Sequence, residues 1–195
     1  QIARCFRDED LRADRQPEFT QIDLEMSFVT QEDIMDMLEG YMKRLYKEVK
    51  GIDIPKMPRL PYREAMERFG SDKPDTRFGM ELINLTEQVK DSSFPVFANA
   101  IAEGGSVRCI VAKNAAATLT RKAIDKLTEQ AKGIGAKGLA YIRWAEEKPN
   151  CSFAKFMDEQ QLSGLLSFLG CEQGDVVLIV ADKDRVTLPV LGALR

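Results

Sequence analysis

Apolar and polar residues alternate near the start of the chain, directly after a densely charged segment. The alternation covers residues 21–28 and has the period of a strand with one apolar and one polar face. Its apolar positions are Ile22, Leu24, Met26 and Phe28. Because a second strand-like segment precedes the charged residues, we predict an antiparallel hairpin in which those residues form the loop.

The period then changes to that of a helix. Thr30 and Asp33 have the spacing of a capping box, and apolar residues recur at helical spacing until Gly51. We interpret this stripe as a helix face that packs on a sheet, in preference to a ligand groove lined by methionine and tyrosine. The stripe consists of Ile34, Met37, Leu38, Tyr41, Met42, Leu45 and Val49.

The rest of the chain predicts a stiff connector and then a second core. Prolines at 55, 58 and 61 indicate the connector. A short helix follows over 62–69, ended by Gly70, and a polar loop extends to Gly79. From Leu82 onward we predict mixed elements: helices at 82–90, 121–133, 159–168 and toward Leu194, and strands at 95–97, 107–112, 138–144 and 176–181.

No motif in this second region indicates chemistry. The apolar run 176–180 predicts a strand that is covered on both faces. The glycines within 133–138 end a helix and open a strand, which predicts a capping turn, because a phosphate loop would instead open a helix. Trp144 is interpreted as a packing residue.

Composition limits the classes of function. The 195 residues have room for one or two modest cores, and the net charge of −3 argues against general nucleic-acid binding. Any RNA contact is therefore local, with candidates Arg12, Arg15, Lys73 and Arg77, unless these side chains are simply solvated. The absence of histidine excludes most nucleophiles that need an imidazole base. Four scattered cysteines predict reduced thiols and no metal site.

The sequence also indicates where the protein acts. No apolar run reaches the roughly 18 residues of a membrane span, so we predict a soluble, cytoplasmic protein with no membrane partner. The chain opens at Gln1 within a strand-like pattern, which predicts a fragment of a longer enzyme.

The charged loop carries the chemistry of a nucleotide site. An arginine fork holds a phosphate oxygen, an aromatic ring stacks on a base, and carboxylates accept an amino group. A hairpin can bring such side chains to one face of its strands. The side chains that we expect to converge are Arg7, Glu9, Gln16, Phe19 and Asp23.

Residues 6–23, FRDEDLRADRQPEFTQID, resemble motif 2 of the bacterial type of aspartyl-tRNA synthetase, a class II enzyme. The segment GSDKPD at 70–75 resembles the stretch before the inserted domain of that family. LTRK at 119–122 and GAKGLAYI at 135–142 resemble the insertion itself, the GAD domain. The resemblance covers nearly the whole chain and is least distinctive over 84–105.

The resemblance implies an α+β fold. Residues 1–84 would form part of the antiparallel class II catalytic core, with the motif 2 hairpin, a helix and a connector. Residues 85–195 would form the inserted GAD-type domain, which mixes α and β elements. Motif 1, motif 3 and the residues that read the substrate side chain are not found in this chain, so we expect the isolated chain to be inactive.

The resemblance also assigns roles. Arg7, the catalytic residue, would hold the α-phosphate of ATP and the aspartate carboxylate. Asp23 would meet the α-amino group of L-aspartate, and Arg12 and Arg15 would touch the acceptor end of tRNA. The remaining ATP-binding residues would be Asp8 and Glu9 at the nucleotide, Gln16 at the outer phosphate and Phe19 stacked on adenine.

The implied reaction is activation of L-aspartate by ATP, with Mg²⁺, followed by transfer to tRNA. The implied partners are the aspartate tRNA, with the asparagine tRNA left open, and a second copy of the parent enzyme in a homodimer. Two alternatives remain at this stage. One is a non-catalytic interaction module of the GAD type, and the other is a synthetase-like paralogue without tRNA charging.

Overall fold

The computed structural model describes residues 1–10 and 12–195, which form two compact units, Gln1–Arg59 and Leu60–Arg195. The first unit contains an antiparallel hairpin of β1 (Ile2–Phe6) and β2 (Glu18–Ile22) and one long helix, α1 (Gln31–Lys50). The predicted hairpin and helix are both confirmed. None of the described helices in either unit is long and apolar enough to cross a membrane.

Helix α1 has the predicted ends. The Thr30 hydroxyl accepts from the backbone N–H of Asp33, whose carboxylate accepts in turn from Thr30, and Gly51 ends the helix with a φ of 69°. Glu39 is buried and accepts from Lys43 and the backbone of Met57. The apolar stripe, however, stays partly exposed in this unit, so the predicted packing on a sheet is not seen among the described residues.

The strand predicted over 21–28 ends early, and its apolar face is not buried. β2 stops at Ile22, and Leu24, Met26 and Phe28 are exposed. In this register Ile22 is opposite Ile2, and the backbone N–H of Asp23 donates to the carbonyl oxygen of Gln1. Residues 24–28 lie beyond the paired residues, and a two-stranded ribbon offers no second layer to cover them.

The second unit is a five-stranded antiparallel sheet with helices on both faces. The strand order is β3-β4-β7-β5-β6, and every neighbouring pair is antiparallel. Its elements are α2 (Tyr62–Phe69), β3 (Ile83–Asn84), α3 (Pro95–Ala102), β4 (Ser106–Ala112), α4 (Arg121–Ile134), β5 (Ala140–Arg143), β6 (Asn150–Cys151), a 3₁₀ turn (Ala154–Phe156), α5 (Glu159–Phe168), β7 (Val176–Asp182) and α6 (Asp184–Leu194).

Strand β7 lies at the centre of this unit and is buried on both sides, as its apolar run predicts. Val176, Leu178 and Val180 point into one core cluster, and Val177 and Ile179 point into the other. Mixed α and β structure with antiparallel sheets is thus confirmed. The capping turn after α4 is confirmed as well, because the backbone N–H of residue 135 bonds to carbonyls of the last helical turn.

Two predicted elements of this unit are wrong. Residues 82–90 form β3 and a turn in place of a helix, because Ile83 pairs with Cys109 and tertiary pairing with β4 overrides local propensity. Residues 95–97 begin helix α3 in place of a strand. Proline is favourable at the first turn of a helix, and this signal outweighs the strand-like valine and phenylalanine that follow.

The compact units divide earlier in the chain than the domain boundary predicted between residues 84 and 85. Residues 60–84 pack in the second unit, where Leu82 joins the core cluster that also contains Leu188 and Leu191 of α6. The assignment of 1–84 to a catalytic core and 85–195 to a GAD-type insertion stays a prediction.

Helices α2 and α6 approach so closely that only glycine fits between them. Gly70 has a φ of 66°, and a Cβ there would lie 2.1 Å from the carbonyl oxygen of Leu188. We expect Gly70→Ala to lower the free energy of unfolding by at least about 2 kcal/mol, since both the backbone angle and the contact are violated. Urea titration followed by the fluorescence of Trp144, the single tryptophan, measures the change.

A helical glycine with open surroundings provides the control for this prediction. A Cβ added at Gly133 would have no atom within 4 Å, and the backbone there has no positive φ. Gly133→Ala should therefore leave stability equal or raise it by up to about 1 kcal/mol. Equal effects of the two substitutions would contradict the close approach at Gly70.

Candidate functional site

The charged loop is held by the hairpin that flanks it. The backbone N–H of Arg7 donates to the carbonyl of Pro17 at 2.8 Å, which extends the ladder one step beyond the strands. Farther out, Arg12 and Arg15 pair through their backbones at 3.4 and 3.2 Å and close a tight turn. Leu11 lies outside the described residues. The strands therefore fix the directions in which the side chains at the loop base project.

These side chains surround a cavity of about 330 Å³. Four of its lining residues are ones that the sequence predicts for the ATP site. A fifth, Asp14, was not singled out from the sequence, because its position next to the others depends on the tight turn. The lining consists of Arg7, Glu9, Asp14, Arg15, Gln16 and Phe19.

One half-buried carboxylate holds two guanidinium groups at the cavity. Nη1 of Arg15 donates to Oε1 of Glu9 at 3.3 Å, and Nη1 of Arg7 lies 3.9 Å from the same oxygen. Arg7 also lies over the ring of Phe19, with its central carbon 5.2 Å from the ring centre. Because more than half of each arginine side chain is exposed, these pairs are weak, and an arriving polyanion can take over the guanidinium groups at little cost.

Other predicted residues lie away from this cavity. Asp23 is at the opposite end of the hairpin, where its carboxylate accepts from the side chain of Gln1 at 3.4 Å. Asp23 shares a face with Phe19, because every second residue of an extended chain points to the same side. Four residues separate Phe19 from Asp23, a distance of about 14 Å along the chain. Asp8 is exposed and does not line the cavity, and Arg12 is exposed in the turn.

A larger cavity of about 580 Å³ lies in the second unit, beside Trp144 and helix α5. Trp144 packs against the core, as predicted, but its indole N–H is buried without a hydrogen-bond partner among the described residues. The lining residue Lys148 is paired with Glu159 at 3.4 Å. Burial raises the pKa of the Cys171 thiol to about 11, so this cysteine is not a thiolate at neutral pH. This cavity is therefore larger than the hairpin cavity, but its lysine is paired and its thiol is protonated.

Comparison with known proteins identifies relatives along the whole chain. Residues 1–179 match the family described as tRNA synthetases class II (D, K and N). An aspartate–tRNA ligase of Oceanobacillus iheyensis is 55% identical over 196 residues, covering 100% of this chain and 33% of that protein. The ligase of Geobacillus kaustophilus is also 55% identical, and one from Clostridium botulinum strain Kyoto is 54% identical, with the same coverage. The chain thus spans about a third of the length of these relatives.

Proposed function

Because the chain belongs to the class II tRNA synthetases (D, K and N), we propose that it is part of an aspartate–tRNA ligase. The observation that carries this proposal is the hairpin cavity, where two guanidinium groups, an amide and an aromatic ring meet on one loop base. The identity of 55% to aspartate–tRNA ligases over the full chain supports aspartate as the amino acid.

The proposed reaction has two steps. A carboxylate oxygen of L-aspartate attacks the α-phosphorus of ATP, pyrophosphate leaves, and aspartyl-adenylate forms. The adenylate then transfers its aspartyl group to the terminal ribose of tRNA, and AMP leaves. Neither step needs a covalent bond to the protein, so positioning and charge neutralisation supply the catalysis. A chain without histidine is compatible with that chemistry.

In this proposal, Arg7 brings the two reacting groups together. Its guanidinium presents several N–H donors in one plane, which suits simultaneous contact with an α-phosphate oxygen and the aspartate carboxylate. Gln16 would contact the outer phosphate, and Phe19 would stack on adenine. The guanidinium over the Phe19 ring supports this last role, because the same ring face already takes a flat, electron-poor group. Mg²⁺ would enter with the phosphates of ATP.

The acidic residues have separate proposed roles. Glu9 pairs with Arg15 and lies near Arg7, which supports a role in orienting both guanidinium groups. Glu9 would also face the nucleotide, as would Asp8 from outside the cavity lining. Asp23 would accept from the α-amino group of aspartate. Asp23 shares the Phe19 face of the hairpin, which supports its contact with a ligand bound on that face.

The partners of the whole enzyme follow from the same proposal. Arg12 and Arg15 in the exposed turn would contact the acceptor end of the aspartate tRNA, and the asparagine tRNA is a further possible substrate. The full-length protein would act as a homodimer in the cytoplasm. Residues 85–195 would form its inserted GAD-type domain. They supply four of the five strands of the sheet in the second unit, and β3 (Ile83–Asn84) supplies the fifth.

Charging assays on two forms of the protein test the proposal. We expect the full-length protein to attach aspartate to tRNA, and the 195-residue chain alone to form no adenylate, because one loop base supplies only part of the contacts to ATP. The measurement is trapping of labelled aspartyl-adenylate and aspartyl-tRNA. Adenylate formation by the short chain would overturn the second expectation, and a folded full-length protein without charging would overturn the proposed function.

A further inference from the structure

Arg195 ties the end of helix α6 to a loop that lies more than a hundred residues earlier in the chain. Its Nε donates to the carbonyl oxygen of Met80 at 3.1 Å. Its Nη2 lies 2.8 Å from the carbonyl oxygen of Asp75 and within 3.2 Å of those of Phe78 and Gly79. One side chain thus binds four backbone acceptors of the Ser71–Met80 loop.

The same guanidinium lies between two aromatic rings. Its central carbon is 4.8 Å from the ring centre of Phe69 and 4.3 Å from that of Phe78. Stacking and the planar donor fork act together here, and only arginine combines both. A lysine at this position would keep the charge but could not satisfy four carbonyls in one plane. Arg195 therefore fixes the shape of the loop through several independent contacts.

The loop itself is strained and preformed. Met80 has a φ of 66°, a left-handed angle that is costly for a residue other than glycine, and its carbonyl is one of the groups that Arg195 binds. Nearer the start of the loop, the backbone N–H of Lys73 donates to the hydroxyl of Ser71 at 3.1 Å. Strained backbone persists where the surroundings over-determine it, and such places are concentrated at functional sites.

The loop carries two cations, Lys73 and Arg77, and only Arg77 is paired with a carboxylate among the described residues. Arg77 is bound by Asp75 through its backbone and side chain, and this pairing holds the pKa of Asp75 well below its usual range. Lys73 is exposed and has no ion-pair partner among the described residues. Asp72 beside it is also exposed, so the loop carries no general positive patch. Lys73 is therefore the cation of the loop that no carboxylate among the described residues already binds, and Arg195 holds the backbone of the loop that carries it.

We propose that Arg195 is a positioning residue, which holds the Ser71–Met80 loop so that the ammonium of Lys73 contacts one backbone phosphate of the tRNA substrate. The inference rests on the proposed function, since it needs a tRNA to be bound. The loop is largely exposed. The contacts of Arg195 therefore fix the backbone of the loop and do not bury the side chains of the loop. A single phosphate contact also fits a protein whose net charge is negative.

Steady-state charging by the full-length enzyme at several salt concentrations tests this inference. Lys73→Ala should raise the KM for tRNA about three- to tenfold at low salt while kcat holds. The slope of log KM against log salt should fall by roughly 0.7 to 0.9, the value for one lost phosphate contact. Arg195→Ala should show the same KM increase and the same loss of slope, because it displaces the loop that carries Lys73.

A double substitution separates positioning from general stabilisation. If Arg195 acts through Lys73, the double variant should be no worse in KM than either single variant. A purely structural role would instead add its effect to that of Lys73→Ala and leave the salt slope of Arg195→Ala unchanged. Arg195→Lys should behave like the alanine variant. Lys155→Ala, at an exposed lysine of the same unit without an ion-pair partner among the described residues, should change nothing.

The outcomes distinguish this inference from the proposed function. If unaltered full-length protein does not charge tRNA with aspartate, the proposed function fails first. If it charges normally and Lys73→Ala leaves both the KM for tRNA and the salt slope unchanged, the contact is absent and the inference is wrong. Lys73 is exposed, so this variant stays informative even if Arg195→Ala does not fold.

Discussion

Arg7→Ala in the full-length protein is expected to lower aspartate-dependent ATP-pyrophosphate exchange by at least about a hundredfold, which is close to 3 kcal/mol of transition-state stabilisation. The guanidinium of Arg7 lies at the base of the hairpin cavity, over Phe19 and near Glu9. If Arg7 has the proposed role, its removal would leave the charge that develops at the α-phosphorus without one of its counter-charges. Pyrophosphate exchange measures the activation step alone.

Arg4→Ala is the matched control for this prediction. Arg4 lies in β1, is exposed and pairs with Glu18 at 3.4 Å, and it projects from the face opposite to that of Arg7 and Phe19. Its loss should change exchange by less than about threefold, as expected of an exposed ion pair. Arg7→Lys should recover little, because the planar fork is lost. Exchange by Arg7→Ala within a few fold of the unaltered enzyme would remove Arg7 from the reaction.

Asp175→Ala is expected to lower the free energy of unfolding of the second unit by about 3 kcal/mol. The Asp175 carboxylate is buried and accepts from Lys113 at 2.8 Å and from the backbone N–H groups of Asn114 and Glu172 at 2.9 and 3.0 Å. Alanine would leave those two N–H groups without partners. The backbone of Trp144 bonds to that of Asp175, so tryptophan fluorescence reports the transition directly.

The pH dependence of this effect has a definite sign. Burial alone would raise the pKa of Asp175, but the Lys113 ammonium and the two backbone donors outweigh it and lower the pKa below its usual value of 3.8. A carboxyl whose pKa is lower in the folded state stabilises the fold at pH values above its unfolded-state pKa. That contribution is lost as the pH falls through its folded-state pKa. The difference in the free energy of unfolding between the unaltered protein and Asp175→Ala should be constant from about pH 7 to 5 and should shrink below about pH 4.

An exposed acidic residue provides the control for Asp175. Glu87 pairs with Lys90 at 3.3 Å, and both side chains are more than half exposed. Glu87→Ala should change stability by less than about 0.5 kcal/mol at every pH. If Asp175→Ala is as mild as that, the buried carboxylate does not hold the turn before β7.

Local signals in the sequence predicted the elements that have strong local causes. Helix α1 has its capping box and glycine end, α5 has the predicted bounds, and the apolar run of β7 is buried on both faces. The errors occur where tertiary pairing determines the secondary structure. The two residues of β3, for example, form a strand only because β4 lies beside them. No periodicity could indicate a strand of that length.

The candidate site was predictable in part for a similar reason. Side-chain chemistry and the motif-like run at 6–23 indicated Arg7, Glu9, Gln16 and Phe19, and the hairpin places all four at one cavity. Asp14 joins them through a turn that spacing alone does not specify. Asp23 shares their face but lies about 14 Å along the strand from Phe19, which is the length of four extended residues.

The arrangement of the second unit was the least predictable feature. Arg195 and the Ser71–Met80 loop are far apart in sequence, and nothing in either segment indicates the other. The same holds for the contact of Gly70 with helix α6. This contact is possible only because Gly70 and the residue opposite it, Gly192, both lack a Cβ. Such contacts join residues 60–84 to the rest of the second unit, although GSDKPD at 70–75 within them resembles the segment before an insertion.

ATP-pyrophosphate exchange by the full-length protein would show whether the hairpin cavity belongs to an enzyme that activates aspartate. It should be measured with aspartate, asparagine and lysine in turn, beside the Arg7→Ala variant. We expect strong exchange with aspartate, none with the other two amino acids, and loss of at least about a hundredfold in the variant. Exchange that prefers asparagine or lysine, or that persists without Arg7, would contradict this expectation.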